Sequence, residues 1–268
     1  MKIFLDSADL TEIKYAKKSG MLDGITTNPS LIKKAVEKYK GKISLEKYIQ
    51  NILQVDKKIP VSLEVVGDNY EEMIKEGKII FKKFKKYGNI VIKIPVNPCM
   101  EKKCSHSSDG IRAIKTLSQL RIPINCTLIF TPEQALLAAK AGAKMVSPFL
   151  GREDDFLKET FHISSKKYIP PQGFKKGKKL LDDDGIVSGI DLLKECRDIL
   201  KKNKMKTEVL AASIRTKRQF REAALTGADI ITIPPVLITE LLAHAKTKEG
   251  MKKFMRDAPK EYKRLLKK

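Results

Sequence analysis

The chain has 268 residues and is 42% hydrophobic, so it can bury a sizeable core as one large domain or two small ones. Its net charge of +22 suits a nucleic-acid binder, a charged thermophilic surface or an enzyme that draws in phosphorylated substrates. Tryptophan is absent and aromatic residues are few, which favours a solvated lysine surface over a nucleic-acid partner. No apolar stretch approaches the roughly 20 residues that span a bilayer, so membrane insertion is set aside.

Short runs rich in valine and isoleucine alternate with longer amphipathic segments along the chain. In chain order the runs are KIFLD, GITTN, VSLEVV, NIVIKIP, PINCTLIF, KMVSPF, TEVLAAS and DIITIP, and helix-like sequence follows each of them. Eight strands with eight crossovers predict an α/β protein, a single (β/α)8 TIM barrel over residues 1–268. An open doubly wound sheet is the alternative, but LDSADL carries no glycine-rich phosphate fingerprint.

Two segments, residues 97–108 and 156–188, interrupt this regular pattern. Both follow predicted strands, so we expect them to be insertions on the face where barrel enzymes place their active sites. The last residues, about 247–266, predict an extra amphipathic helix that is broken or kinked near Pro259. This helix is expected to close the barrel bottom or to pack on a partner subunit.

The four cysteines are too few for a disulfide framework in a chain of this length. The start, MKIFLDSADL, lacks the long apolar core of a signal peptide, so we expect a cytoplasmic protein with reduced cysteines. Cys99, Cys104 and His106 have a spacing that could hold a metal ion. Because a fourth ligand is not obvious, we expect a solvent-facing loop and no metal.

Polar residues lie at or near the carboxyl ends of the predicted strands. They are Asp6, Thr26, Asn28, Ser62, Glu64, Asn125, Thr127, Ser213 and Arg215. Single members have ordinary explanations, such as Asn28 as a turn residue or Asp6 as a helix cap. Together they predict a catalytic site, because each unpaired polar group costs about 1–3 kcal/mol to bury and barrel interiors are otherwise filled by valine, isoleucine and leucine.

Lys93 is the most informative polar residue, since it lies within the apolar run IVIKIP. Desolvation in a buried strand favours the neutral amine, whose lone pair can attack a carbonyl carbon to form a Schiff base. The iminium is an electron sink for breaking or making a carbon–carbon bond, and Asp6 and Glu64 can supply the proton transfers. The alternative is that Lys93 extends to solvent or pairs with a carboxylate such as Glu64.

The segments LDSAD, GITTNPSLI, VSLEV, VIKIP, INCTLIFTPEQALLAAKAGA, VSPFLGR and AASIR together resemble the transaldolase family in its short form, built on a class I aldolase barrel. The resemblance covers nearly the whole chain outside the two irregular segments. It implies that Lys93 forms a Schiff base with fructose 6-phosphate or sedoheptulose 7-phosphate, in the pentose phosphate pathway and without a cofactor. Asp6 would take the proton of the C4 hydroxyl, while Glu64 and Thr127 would position a water molecule.

The resemblance also implies which residues hold the substrate. The hydroxyls of the bound three-carbon unit would be held by Asn28, Asn125 and Ser147. The phosphate would be held by Arg152, Ser213 and Arg215, since guanidinium pairs with phosphate oxygens through a planar fork. The dihydroxyacetone unit would then pass to an aldose phosphate such as erythrose 4-phosphate.

Two positions separate transaldolases from their sister branch, the fructose-6-phosphate aldolases, which carry glutamine in place of Glu64 and tyrosine in place of Phe149. The sequence therefore favours a transaldolase over an aldolase that releases free dihydroxyacetone. The remote alternative is a basic nucleic-acid-binding barrel without activity. Short transaldolases form ring-like assemblies, which implies a homo-oligomer, a pentamer or a decamer.

Overall fold

A closed barrel of strands is the centre of the computed structural model, which describes residues 1–101 and 104–266. The strands in this part of the chain are β1 (Lys2–Asp6), β2 (Gly24–Thr26), β3 (Pro60–Glu64), β4 (Asn89–Pro95), β5 (Ile124–Ile129), β6 (Met145–Pro148), β7 (Phe174–Lys176), β8 (Lys179–Leu181), β9 (Glu208–Ala211) and β10 (Ile230–Ile233). Eight of these described strands are parallel and close in the order β1, β10, β9, β6, β5, β4, β3 and β2. The predicted (β/α)8 TIM barrel is confirmed, and the open sheet is wrong.

Helices surround the barrel and connect its strands. Those in the described residues are α1 (Leu10–Lys18), α2 (Pro29–Glu37), α3 (Leu45–Val55), α4 (Tyr70–Phe84), α5 (Asp109–Gln119), α6 (Pro132–Ala141), α7 (Leu150–Thr160), α8 (Gly189–Lys202), α9 (Lys217–Leu225), α10 (Pro235–Leu242), α11 (Ala245–Asp257) and α12 (Lys260–Leu265). Local sequence sets many of their ends. Thr131 and Gln134 form a capping box at the start of α6, and Gly142, with a φ of 104°, ends it.

Apolar side chains fill both faces of the strands. Outward-facing residues such as Ile92 and Ile94 belong to the large core beneath the helices. A separate cluster, made by Phe4, Val91, Met145, Leu210, Ala212 and Ile230, is also buried. Several of its members stand two residues before a polar residue at a strand's carboxyl end, so they face the same way. The barrel interior is therefore apolar below a polar layer at its carboxyl-terminal mouth.

The two irregular segments follow β4 and β6. Residues 97–101 and 104–108 lie between β4 and α5, and the disulfide that joins Cys99 to Cys104 differs from the expected reduced cysteines. The first residues of the 156–188 segment belong to α7, and the later ones form the antiparallel hairpin β7–β8. Ile169, Leu181 and Ile186 of this second segment are buried, which anchors it to the rest of the chain. The boundaries of a single domain stay a prediction.

The C-terminal helices lie on the outside of the molecule. The structure divides the expected helix of about 247–266 into α11 and α12, with Ala258 and Pro259 in extended conformation between them. A break here is consistent with proline, which disfavours helical conformation in the residue before it. Neither helix has a buried residue in the described part of the chain. Among the residues described, no helix is long and apolar enough to cross a membrane.

Candidate active site

A cavity of about 100 Å³ opens at the carboxyl ends of the barrel strands. Its lining contains the predicted residues Asp6, Asn28, Lys93, Ser147, Arg152 and Ser213. Thr26, Phe149 and Thr232 complete most of the wall. Residues that are far apart in the chain therefore meet at the face where barrel enzymes carry out their chemistry.

Lys93 lies inside the barrel, with only 6% of the residue exposed. Its Nζ atom is 3.1 Å from Oε2 of Glu64 on the neighbouring strand and donates to the Thr27 carbonyl oxygen at 3.3 Å. The ring of Phe149 has its centre 6.0 Å from the same amine. The expected burial of Lys93 is present, and so is the pairing with Glu64 that formed part of the alternative explanation. The amine is thus held between a carboxylate and an aromatic wall.

Asp6 is held by two hydroxyl groups in series. The Thr26 hydroxyl donates to Oδ1 of Asp6 at 2.8 Å, and the Thr26 and Thr232 hydroxyl oxygens are 2.6 Å apart. Burial raises the pKa of Asp6, against the opposing effects of the Thr26 hydrogen bond and the charges of Lys93 and Arg152. Thr232 was not predicted as a site residue. The signal was present in the strand IITI, where Thr232 is the single polar side chain among isoleucines.

A chain of polar side chains crosses from β3 to β6 behind the cavity. The Asn125 side chain donates to the Ser62 hydroxyl at 3.2 Å and accepts from the Ser147 hydroxyl at 2.7 Å. Asn125 is completely buried and supports Ser147 from behind the cavity wall. The Thr127 hydroxyl is also buried, and it has no hydrogen-bond partner among the described residues. A buried group of this kind is a natural contact for a water molecule or a substrate oxygen.

The two predicted arginines lie in different surroundings. Arg152 lines the cavity, and its guanidinium carbon is 5.2 Å from the centre of the Phe149 ring. Arg215 is half exposed and pairs with Asp155 of α7 at 2.5 Å, outside the cavity wall. Gly151, in the first turn of α7, lets this helix approach the segment after β9, because a Cβ atom there would lie 2.3 Å from the Ser213 carbonyl oxygen. Ser213 itself has a φ of 59°, in the left-handed region.

Asn28 has two roles that the sequence left open. Its side chain accepts from the Leu31 backbone N–H at 2.9 Å and so caps α2, while the residue also lines the cavity. The cap fixes the position of the side chain at the barrel mouth. The local role that the sequence offered for Asn28 was that of a turn residue; in the structure it is a helix cap, and this role is compatible with a place in the site.

Comparison with known proteins identifies the family to which this site belongs. A family model described as Transaldolase/Fructose-6-phosphate aldolase matches residues 3–267. This chain belongs to that family. It is 40% identical over 259 residues to a probable transaldolase of Nitrosopumilus maritimus, covering 96% of this chain and 94% of the relative. It is also 39% identical over 262 residues to a probable transaldolase of Clostridium botulinum, covering 98% of both chains.

Because transaldolases are enzymes, membership of this family identifies the chain as an enzyme. Because the coverage of both chains is nearly complete, the two irregular segments do not make this chain much longer than those relatives. Among solved structures, a mandelate oxidase variant aligns with a TM-score of 0.51 and 16% identity over 87% of this chain and 64% of that one. A likeness at this identity shows only the shared barrel fold.

Two acidic residues beside this transaldolase-family site, Glu153 and Asp154, were not predicted, because a charged run such as GREDD is typical of a solvated surface. Glu153 is only 1% exposed, and its carboxylate has no hydrogen-bond partner among the described residues. Burial, together with the charges of Asp183 and Asp154, raises the pKa of Glu153 to about 7. Asp154 accepts from the Gly189 N–H at 2.8 Å and from the Gln219 side chain at 2.7 Å. Asp154 thus ties α7 to the start of α8.

Proposed function

We propose that this chain is a transaldolase that moves a dihydroxyacetone unit from a ketose phosphate to an aldose phosphate. The observation that carries the proposal is Lys93, which is buried, lies 3.1 Å from Glu64 and lines the same cavity as Asp6. Fructose 6-phosphate and sedoheptulose 7-phosphate are the proposed donors, and erythrose 4-phosphate is the proposed acceptor. With these sugars the reaction belongs to the pentose phosphate pathway and requires no cofactor.

The first step is formation of a Schiff base at Lys93. The amine must lose a proton before its lone pair can attack the ketone carbon, and Glu64 at 3.1 Å is well placed to accept that proton. Glu64 returns the proton to the carbinolamine oxygen, which leaves as water. Ammonium and ketone are thereby converted to an iminium and one water molecule. The buried, unpartnered Thr127 hydroxyl is proposed to hold this water.

Asp6 is the proposed base for carbon–carbon cleavage. Its carboxylate takes the proton of the C4 hydroxyl, the C3–C4 bond breaks, and the electron pair of that bond neutralises the iminium as an enamine. An aldose phosphate leaves with C4 as its aldehyde carbon. Because burial raises the pKa of Asp6, its carboxylate is a stronger proton acceptor than an exposed one. Addition of the acceptor reverses these steps, and Asp6 returns the proton.

Substrate contacts follow from the cavity wall. Asn28 and Ser147 are proposed to bind the hydroxyls of the three-carbon unit, with Asn125 orienting Ser147 from behind. Arg152 and Ser213, which line the same cavity, are proposed to bind the phosphate. Arg215 can join them by exchanging Asp155 for a phosphate oxygen, a bidentate partner of higher charge.

Phe149 favours transaldolase over the sister activity, fructose-6-phosphate aldolase. Its ring centre is 6.0 Å from the Lys93 amine. A tyrosine at this position could donate a proton near the enamine and release free dihydroxyacetone, whereas phenylalanine has no proton to give. The enamine is therefore expected to wait for an acceptor aldehyde.

Borohydride trapping tests the proposal. Fructose 6-phosphate with borohydride is expected to leave a reduced three-carbon adduct at Lys93, located by peptide mass spectrometry. A Lys93→Met enzyme should show neither adduct nor turnover, while Lys115→Met, which removes an exposed lysine of α5, should behave as the unmodified enzyme. Continued turnover by Lys93→Met would overturn the mechanism, and product formation without an acceptor would identify the aldolase.

A homo-oligomer, a pentamer or a decamer, is part of the same proposal. The C-terminal helices expose an apolar stripe made by Met251, Phe254, Met255, Tyr262, Leu265 and Leu266. An apolar groove of about 710 Å³ between α2, α3 and α4 on the same chain offers a matching surface. We propose that the stripe of one copy packs on the barrel of another. The cytoplasmic location stays a prediction of the sequence.

A further inference from the structure

The loop between β4 and α5 brings together three side chains that the proposed reaction does not use. The sulfur atoms of Cys99 and Cys104 and a ring nitrogen of His106 all lie within 4.8 Å of one another. All three residues are half-buried, and the two cysteine Cα atoms are 6.3 Å apart. In the described residues this is the one group of three histidine, cysteine or acidic ligand atoms that lie this close.

These ligands have the chemistry of a zinc site. Thiolate and imidazole are the groups that Zn²⁺ prefers, and a gap of four residues between cysteines falls within the usual spacing. With Zn–S bonds of about 2.3 Å in tetrahedral geometry, the two sulfurs would be roughly 3.8 Å apart. Starting positions within 4.8 Å and a Cα separation of 6.3 Å allow this with a small movement of side chains.

We propose that Cys99, Cys104 and His106 bind one Zn²⁺ ion when the disulfide is reduced. Reduction breaks the S–S bond and adds two electrons and two protons, supplied by a dithiol that becomes a disulfide itself. Both thiols release their protons as they bind the metal. The three side chains leave the fourth tetrahedral position to water. Oxidation and metal binding therefore exclude each other, because the disulfide removes both thiolates.

The ends of the loop are fixed, so a metal would cross-link its middle. The Val96 N–H donates to the Thr127 carbonyl oxygen at 3.0 Å, which holds the loop to β5. At the other end, the Asp109 N–H donates to the His106 carbonyl oxygen at 3.0 Å, and the Asp109 carboxylate accepts from the Tyr70 N–H at 3.0 Å. The loop follows the strand that carries Lys93, so either cross-link limits its motion beside the active face.

Cobalt titration of the reduced chain tests the proposal, using Co²⁺ as the spectroscopic probe for Zn²⁺. One equivalent of Co²⁺ should give the thiolate-to-cobalt charge-transfer band and the visible bands of a tetrahedral ion, and Zn²⁺ should displace it. Cys104→Ser and His106→Gln should weaken binding by more than the roughly 10–100-fold that loss of a ligand's own hydrogen-bond partner costs. His162→Gln, a histidine outside the group, is the matched control.

The second part of the test compares cobalt binding by the oxidised and the reduced chain. The disulfide form should give no cobalt spectrum. After reduction with a dithiol and removal of that dithiol, the same sample should give the spectrum. Thermal melting of each variant establishes that the barrel remains folded. Absence of a spectrum in the reduced chain, equal binding by the oxidised chain, or equal loss in His106→Gln and His162→Gln would overturn the proposal. None of these results depends on sugar-phosphate activity.

Discussion

The hydrogen bonding of Asp6 depends on Thr232, which contacts the Asp6 carboxylate only through Thr26. The Thr26 hydroxyl has a single hydrogen, and Asp6 accepts it at 2.8 Å. The contact of 2.6 Å between Thr26 and Thr232 is therefore one in which the Thr232 hydroxyl donates. This second hydrogen bond polarises the first, because hydrogen bonds in series strengthen one another. Thr232 is thus a positioning residue for the proposed base.

We predict that Thr232→Val raises the pKa of Asp6 and moves the acidic limb of the kcat/KM profile to higher pH. A buried hydrogen bond is worth about 1 kcal/mol, which corresponds to a shift of roughly 0.7 of a pH unit. The pH dependence of kcat/KM checks this, and Thr232→Ser should restore the limb. If Thr232→Val lowers stability but leaves the acidic limb of the kcat/KM profile in place, Thr232 has a structural role only.

Glu153 makes stability depend on pH. Its pKa in the folded state is about 7, above the usual glutamate value of about 4.3, so the folded chain binds this proton more tightly than the unfolded one. The resulting stability is fully present below about pH 4.3, is lost as pH rises, and is gone above about pH 7. The full difference is about 3 kcal/mol, by the conversion from pKa to free energy.

The variant Glu153→Gln tests this directly, since glutamine resembles the protonated acid and cannot ionise. We expect it to be more stable than the unmodified chain at pH 8 and nearly equal to it at pH 4, as measured by urea unfolding at both values. Glu159→Gln, an exposed position on the same helix, should change neither result. An equal effect of both variants would contradict the assignment.

At the scale of elements, helix α5 is seated directly on the end of the strand that carries Lys93. Gly110, its second residue, lies so close that a Cβ atom would be 2.2 Å from the Pro95 carbonyl oxygen and 2.4 Å from that of Val96. Both neighbours are backbone atoms, so neither can turn away. The close approach fixes the start of α5 and both ends of the 97–108 loop.

Gly110→Ala is therefore predicted to destabilise the chain by about 1–3 kcal/mol, the usual cost of overpacking. Gly250→Ala is the matched control, because no atom lies within 4 Å of its added Cβ in the exposed helix α11. The control should instead gain up to about 1 kcal/mol, since alanine favours a helix more than glycine does. Urea unfolding separates the two, and a gain in both would show that α5 can move away from β4.

For the whole molecule, the exposed apolar stripe of α11 and α12 is the surface proposed to join copies of the chain. Phe254 is 70% exposed, and the other members of the stripe are each more than half exposed. We predict that Phe254→Glu reduces the oligomer to smaller species, as measured by sedimentation velocity. Lys253→Glu changes the charge more but lies off the stripe, so it should leave the assembly intact. A monomeric unmodified chain at micromolar concentration would contradict the assembly.

The net charge of +22 gives the surface a second property, attraction for anionic substrates over distances of about a Debye length, about 8 Å at physiological salt. Arg152 at the cavity wall and Arg215, paired with Asp155, are the residues proposed to make specific contacts with the anion. The sequence composition alone gave three explanations for this charge. Family membership favours the one that involves phosphorylated substrates.

The barrel and several residues at the carboxyl ends of its strands follow from local patterns in the sequence. The two-residue alternation of strands is a local property, so it places Lys93 on the opposite face from Ile92 and Ile94 without any knowledge of the fold. The same alternation selected Asp6 and Asn28, which line the cavity. Eight such runs separated by helices leave few alternatives to a closed barrel.

Contacts between side chains that are distant in the chain are visible only in the folded structure. Thr26 and Thr232 are 206 positions apart and touch because β1 lies between β2 and β10 when the barrel closes. Arg215 meets Asp155, and Glu153 is buried within a run of charges, through packing of α7 that no local pattern records. Strand alternation and helix caps depend on neighbours in the chain, whereas these contacts depend on how separate elements pack.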